Sequence, residues 1–239
     1  SAGALPRTPA RAPLALLALL GIGGLLAFFG QTYQTGADPW QLFALWALLA
    51  LPLALAVRGD VLWAPWVLVP MSAVALWTHA HTAYRWRVEP EDLTAYLLAW
   101  GAAFVLAVVL SPAFRRATGA GVWAWRTAAT LAMAIVAFTA LGGLFREQVA
   151  PQYALGLLLL AAAAAGLAQR AVFEVYVLSA VALALDALLV AGVARWVFDG
   201  PHRDFVGPLL LTGLVAAGLL AASVSGVLWL ARRAQGELQ

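Results

Sequence analysis

The sequence contains no cysteine, which removes disulfides, thiolate metal ligands and cysteine nucleophiles from consideration. It contains no lysine either. All 14 basic residues are arginine, scattered through short stretches rather than gathered on one face. The isoelectric point near 9.8 therefore does not point to nucleic acid, which calls for a concentrated basic surface. Charge of either sign is scarce, at 10% of residues against about 25% in soluble domains. Missing too are an HExxH pair, a glycine loop of the phosphate-cradling kind, and the apolar alternation of barrel strands. What remains is hydrocarbon: 64% of residues are hydrophobic and the mean hydropathy is +0.89. Such a chain is a membrane protein on composition alone.

A helix needs about 20 apolar residues to cross about 30 Å of hydrocarbon. Eight stretches qualify as candidates: about 12–29, 40–57, 61–82, 94–111, 127–145, 153–168, 171–198 and 206–231. The sixth is short and alanine-rich, and only Gln169 and Arg170 separate it from the seventh. Backbone groups in lipid must be satisfied within the segment, so the expected fold is all-α, a polytopic bundle forming one integral membrane domain over residues 1–239. The first stretch has a basic lead (Arg7, Arg11) but no small-x-small cleavage pattern after it, so it is read as a retained span. The opening residue is Ser1 rather than methionine, which fits trimming or an incomplete N-terminus.

Arginine counts orient the bundle. Arg7, Arg11, Arg58, Arg115, Arg116, Arg126, Arg170, Arg232 and Arg233 share one side; Arg85, Arg87, Arg146, Arg195 and Arg203 share the other. The nine-to-five split predicts both termini in the cytoplasm of a bacterial-type inner membrane. Most acids fall opposite the arginine-rich side; Asp60 and Glu237 are the exceptions.

Between the first two stretches lies GQTYQTGADPWQLF, with one acid and no base, as an outward loop would have. Its second half reads as a helix start. Asp38 stands at the N-cap, Pro39 at the first helical position, and Gln41 three residues after the cap, a capping-box spacing. Gly36 permits the turn before it. Capping does not account for Gln31, Tyr33 and Gln34. The run GQTYQTGADPWQLFALWALLALPLAL, continuing into RGDVLWAPWVLV, resembles the bacterial predicted membrane proteins of domain of unknown function 2157, over residues 30–70. In that family a glutamine–tyrosine–glutamine–threonine–glycine–alanine–aspartate–proline stretch stands between two hydrophobic helices, and a tryptophan-rich helix follows. The resemblance implies an architecture and a loop motif (Gln31, Tyr33, Gln34, Asp38), and no activity.

Charges at bilayer depth are costly and mark candidate functional sites. The seventh stretch carries Glu174, Asp186 and Arg195. Asp186 lies about 22 Å from the start of a span of about 42 Å, near the midplane. Glu174 lies close to the cytoplasmic end, about 18 Å and about 120° away from Asp186, so the two cannot form one carboxylate pair. Asp186 reads either as a relay or ligand residue facing a cavity, or as a structural acid, protonated or hydrogen-bonded to a neighbouring helix. Arg126 opens the fifth stretch and is a candidate neighbour of Glu174. Arg195 reads as a snorkelling residue at the interface.

Pro52, Pro65 and Pro70 fall within the second and third stretches, where each removes a helical hydrogen bond and is a kink candidate. Broken helices line transporter sites, although proline is common in membrane helices generally. His79, His81 and His202, near Glu89, Glu91, Asp92, Asp199 and Asp204, are the candidate ligands of a divalent metal on the outer rim. Against this, residues two apart on a helix point about 200° apart, and an acidic rim with helix caps explains the same residues. The serines of ASVSG at 222–226 have no histidine at bilayer depth to serve as base and read as packing residues. Trp40, Trp63, Trp86, Trp196 and Trp229 read as an aromatic belt, VWAWR at 122–126 as interfacial, and Trp66, Trp77 and Trp100 as packing or cavity-lining residues.

Three functional readings follow. The first is a small-solute or ion permease centred on Asp186. The second is a non-catalytic scaffold or subunit of a larger membrane complex. The third is an envelope- or lipid-modifying enzyme using the outer rim. No cofactor is required by the first two, and the motifs assemble no catalytic set. The expected partners are the lipid bilayer and other membrane subunits, with no nucleic acid.

Overall fold

The computed structural model describes residues 11–33, 36, 38–83, 87–169, 173–199 and 205–236. Gln34 and His202 lie outside these, and so does the side chain of Tyr33. The described residues form helices and connecting turns, with no strand among them. The helices are α1 Arg11–Tyr33, α2 Pro39–Val57, α3 Asp60–Ala80, α4 Leu93–Val109, α5 Arg115–Thr118, α6 Val122–Leu144, α7 Pro151–Leu167, α8 Val175–Phe198 and α9 Val206–Gly236. Two 3-10 turns, Pro90–Asp92 and Pro112–Phe114, precede α4 and α5.

Seven of these helices are long and apolar enough to cross a membrane, α4 together with the 3-10 turn that leads into it (Pro90–Val109, 20 residues). The other apolar helix, α7, has 17 residues, about 25 Å at the helical rise, which falls short of the hydrocarbon thickness. Several ends differ from those the hydropathy pattern predicts. Helix α1 runs on to Tyr33, so GQTY is its last turn rather than the start of a loop. Glutamine and tyrosine do not break a helix; beyond it Gly36 has a φ of 65°, which suits a residue without Cβ. Helix α6 starts at Val122, absorbing VWAWR, and α8 starts at Val175 with Glu174 at its N-cap.

By Cα proximity the chain divides into two compact units. One holds the chain up to Thr82 with Leu97–Ala132; the other holds Ala83–Tyr96 with the chain from Met133 onward. In the first unit α1 packs on α2 and α3, and α2 on α3. Helix α2 buries Ala47, Ala50 and Ala54 along one stripe. Helix α3 buries the larger Leu62, Trp63, Trp66, Val67, Val69 and Met71. Small residues on one helix let the backbones approach and leave room for large ones on the next. Indole N–H groups lace the same helices: Trp46 donates to Leu19 O at 2.8 Å, and Trp66 to Ala47 O at 3.0 Å. A helical carbonyl can accept this second bond through its spare lone pair. Gly23 is glycine because a Cβ there would overlap the Trp46 ring.

In the second unit α7 packs on α8, and α8 on α9. Pro52, Pro65 and Pro70 lie inside α2 and α3 as expected. Hydroxyls at Thr78, Thr127, Thr130, Thr139 and Ser179 donate to the carbonyl four residues back, so each is satisfied within its own helix. Leu, Val and Phe side chains are exposed along α1 and α9, as contact with lipid tails requires.

Candidate functional site

Asp186 stands midway along α8, about 17 Å from either end. It is only 8% exposed. Ser223, on α9, donates its hydroxyl to Asp186 Oδ1 at 2.9 Å. The other oxygen, Oδ2, is buried with no hydrogen-bond partner. The acid is therefore half satisfied, which is unusual for a buried polar group and marks it for explanation. Ser223 is the residue that sequence reasoning missed. It was legible as a hydroxyl in the last span, but only the packing of α9 on α8 brings it to Asp186.

Further along α8, Tyr153 of α7 donates its hydroxyl to Leu188 O at 3.0 Å. A Cβ on Gly192 would collide with that hydroxyl, so the glycine creates the notch that receives it. Glu174, read above with the intramembrane charges, is the N-cap of α8 and accepts Val177 N–H at 2.7 Å, a helix-start role favoured by the dipole. Arg126 lies near the start of α6 with its guanidinium 5.1 Å from the centre of the Trp123 ring.

A second polar cluster closes one end of the second unit. Arg146 meets Glu89 at 2.6 Å. Gln152, fully buried at the start of α7, donates to Glu89 O at 2.7 Å. Arg195, in the last turn of α8, reaches Asp199 at 3.3 Å and Glu147 O at 3.0 Å. Arg195 thus does not simply snorkel into water; it ties the end of α8 to the turn after α6. Two open clefts flank Arg146. One, of about 520 Å³, is lined by Ala83, Arg87, Glu89, Glu91 and Arg146. The other, of about 700 Å³, has Phe145, Arg146, Glu147, Arg195, Phe198 and Asp199 in its lining. Asp186 lines neither.

The first unit holds a structural cluster the sequence did not announce. Asp60, at the start of α3, accepts three backbone amides at the start of α6: Gly121 and Ala124 on Oδ1 at 2.9 and 3.0 Å, and Trp123 on Oδ2 at 3.0 Å. It caps a helix to which it is not adjacent in sequence. Two residues earlier, Arg58, with φ of 54°, sends its guanidinium to Arg116 O at 2.5 Å and Ala117 O at 3.4 Å. Trp63 Nε1 donates to Thr118 O at 3.1 Å. Arginine on the carbonyl end of α5 and aspartate on the amide end of α6 are each matched to the sign of the helix terminus they meet. Trp63, 2% exposed, is a packing residue rather than a belt residue.

Asp38 occupies the N-cap of α2 but makes no side-chain cap bond; the turn is held by Gln41 N–H donating to Asp38 O at 3.0 Å. Gln31 is exposed at the end of α1. His81 is the C-cap of α3; its ring stacks on Trp77 with centroids 4.5 Å apart, and its Nδ1 lies 2.8 Å from Trp77 O. Among the described residues, no group of three or more His, Asp or Glu is gathered as a metal ion requires.

Residues 5–63, about a quarter of the chain, match the family model described as "Predicted membrane protein (DUF2157)". The matched segment contains the Gln31–Asp38 motif and the Arg58–Asp60 pair. No curated protein and no solved structure matches the chain.

Proposed function

We propose that this predicted membrane protein is a small-solute or ion permease of a bacterial-type inner membrane, with both termini in the cytoplasm and Asp186 as its intramembrane carboxyl. The observation that carries the reading is the half-satisfied acid midway along α8: one oxygen on Ser223, the other buried and unpartnered. A carboxyl so placed has an acceptor free for a proton or a cation, the usual use of an acid at bilayer depth. The arginine split supports the orientation.

The test is flux. The full chain is reconstituted in vesicles, and proton, sodium and potassium movement is followed under an imposed potential. The expected result is a flux that Asp186→Asn abolishes while the variant still folds. Equal flux through the variant rejects the role of Asp186.

A second reading, a non-catalytic subunit of a larger membrane complex, has its own support. The same Ser223–Asp186 bond joins α8 to α9, as a purely structural acid would. Under this reading the chain copurifies with a partner from mild detergent, and Asp186→Asn changes stability alone.

A further inference from the structure

The 700 Å³ cleft sits at the level where the apolar runs of α6 and α8 end, at Leu144 and Phe198. Its size falls in the range of small-molecule sites, about 300–1,000 Å³. Its lining combines three chemistries. Arg146 and Arg195 supply guanidinium groups, Glu147 and Asp199 supply carboxylates, and Phe145 and Phe198 supply apolar rings. Both arginines have protein partners, Glu89 for Arg146 and Asp199 with Glu147 O for Arg195. A guanidinium has more donors than these bonds use. Asp199 and Glu147 are both exposed at the rim.

A simple anion would meet the arginines but also face two carboxylates with no cation of its own. A simple cation would face the reverse conflict. A ligand carrying a phosphate and a primary ammonium a few atoms apart answers both. The phenyl rings and the position at the helix ends add an apolar attachment. We propose that this cleft binds the phosphoethanolamine group of a zwitterionic phospholipid, with the phosphate at Arg146 and Arg195 and the ammonium at Glu147 and Asp199. The site is independent of any flux through Asp186. Phosphatidylcholine is the discriminating comparison: its phosphate is the same, but its quaternary ammonium has no N–H to donate.

The experiment is lipid titration of the detergent-purified full chain, read by native mass spectrometry. Phosphatidylethanolamine, phosphatidylcholine and phosphatidylglycerol with matched acyl chains are compared. The expected result is one retained phosphatidylethanolamine, preferred over the other two about tenfold, the worth of one charge-assisted hydrogen bond. Glu147→Gln combined with Asp199→Asn, both exposed and so tolerated by the fold, removes the preference over phosphatidylcholine. Arg195→Gln weakens binding of both lipids. Soluble phosphoethanolamine separates the sources of this chemistry: displacement of the lipid at equal concentration assigns the site to a free solute, and failure to displace it assigns the site to the lipid. Equal retention of all three lipids, or an unchanged preference in the carboxamide double variant, overturns the proposal.

Discussion

The carboxylate of Asp60 occupies the space that a Cβ on Gly121 would need, and it receives the Gly121 amide at 2.9 Å. Gly121 stands at the N-cap of α6 without a side chain to serve as cap, and Asp60 supplies that function from another helix. Asp60→Ala leaves three amides without this acceptor and is expected to destabilise the protein by about 1–3 kcal/mol. Gly121→Ala drives a methyl into the carboxylate and is expected to be destabilising as well. In the Asp60→Ala background the added methyl has room, so the two effects are coupled by about 0.5–3 kcal/mol rather than additive. Thermal unfolding of the four proteins in detergent measures the coupling; strict additivity would count against the contact.

Tyr153 and Gly192 form the same kind of pair within the second unit. Tyr153→Phe removes one hydroxyl bond to Leu188 O and is expected to cost about 1 kcal/mol. Gly192→Ala overfills the notch and is expected to cost about 1–3 kcal/mol. Because the obstructing atom is the hydroxyl, Tyr153→Phe should relieve much of the Gly192→Ala penalty. Melting temperatures that fall further in the double variant would refute this account.

These pairs show what the sequence could and could not convey. Asp186 stood out because it is a lone acid midway along an apolar run, and nothing but local sequence is needed to see that. The positions of the long helices were legible for the same reason. Their ends were less so, because Gln31 and Tyr33 are polar yet compatible with a helix, and hydropathy cannot tell a polar last turn from a loop. Asp60 registered only as a charge on the wrong side of an orientation count. Its meaning depends on Gly121, 61 positions away, and no periodicity carries that distance. Ser223 was hidden likewise, among small residues that suit helix packing equally well.

Gln152 tests how firmly the residue that leads into the 3-10 segment Pro90–Asp92 is tied to α7. Its amide is fully buried and its Nε2 donates to Glu89 O at 2.7 Å, beside the Arg146–Glu89 ion pair. Gln152→Leu keeps the bulk and removes the donor. The expected loss is about 0.5–1.5 kcal/mol, because the change removes one part-buried hydrogen bond. Hydrogen exchange gives the local readout: amides near Glu89 should lose protection in Gln152→Leu while those of α9 keep theirs. A uniform loss across both would place the effect elsewhere.

The Ser223–Asp186 bond can be weighed by the same logic, and the result bears on what the acid is for. Ser223→Ala leaves both Asp186 oxygens without the α9 donor, and bonds between membrane helices of this kind average about 0.6 kcal/mol with a maximum of about 1.7. The expected destabilisation lies in that range. Asp186→Leu removes the acid altogether. Replacing a half-satisfied buried carboxyl by an apolar side chain of similar size is expected to leave stability unchanged or raised. In that background Ser223→Ala should have no further effect, because the hydroxyl has lost its acceptor. Thermal unfolding in detergent supplies the four numbers. An Asp186→Leu protein as stable as the parent yet inactive in the flux assay would assign the carboxyl to function rather than to holding α8 against α9. One that unfolds readily would mean that the Ser223 bond is a structural necessity.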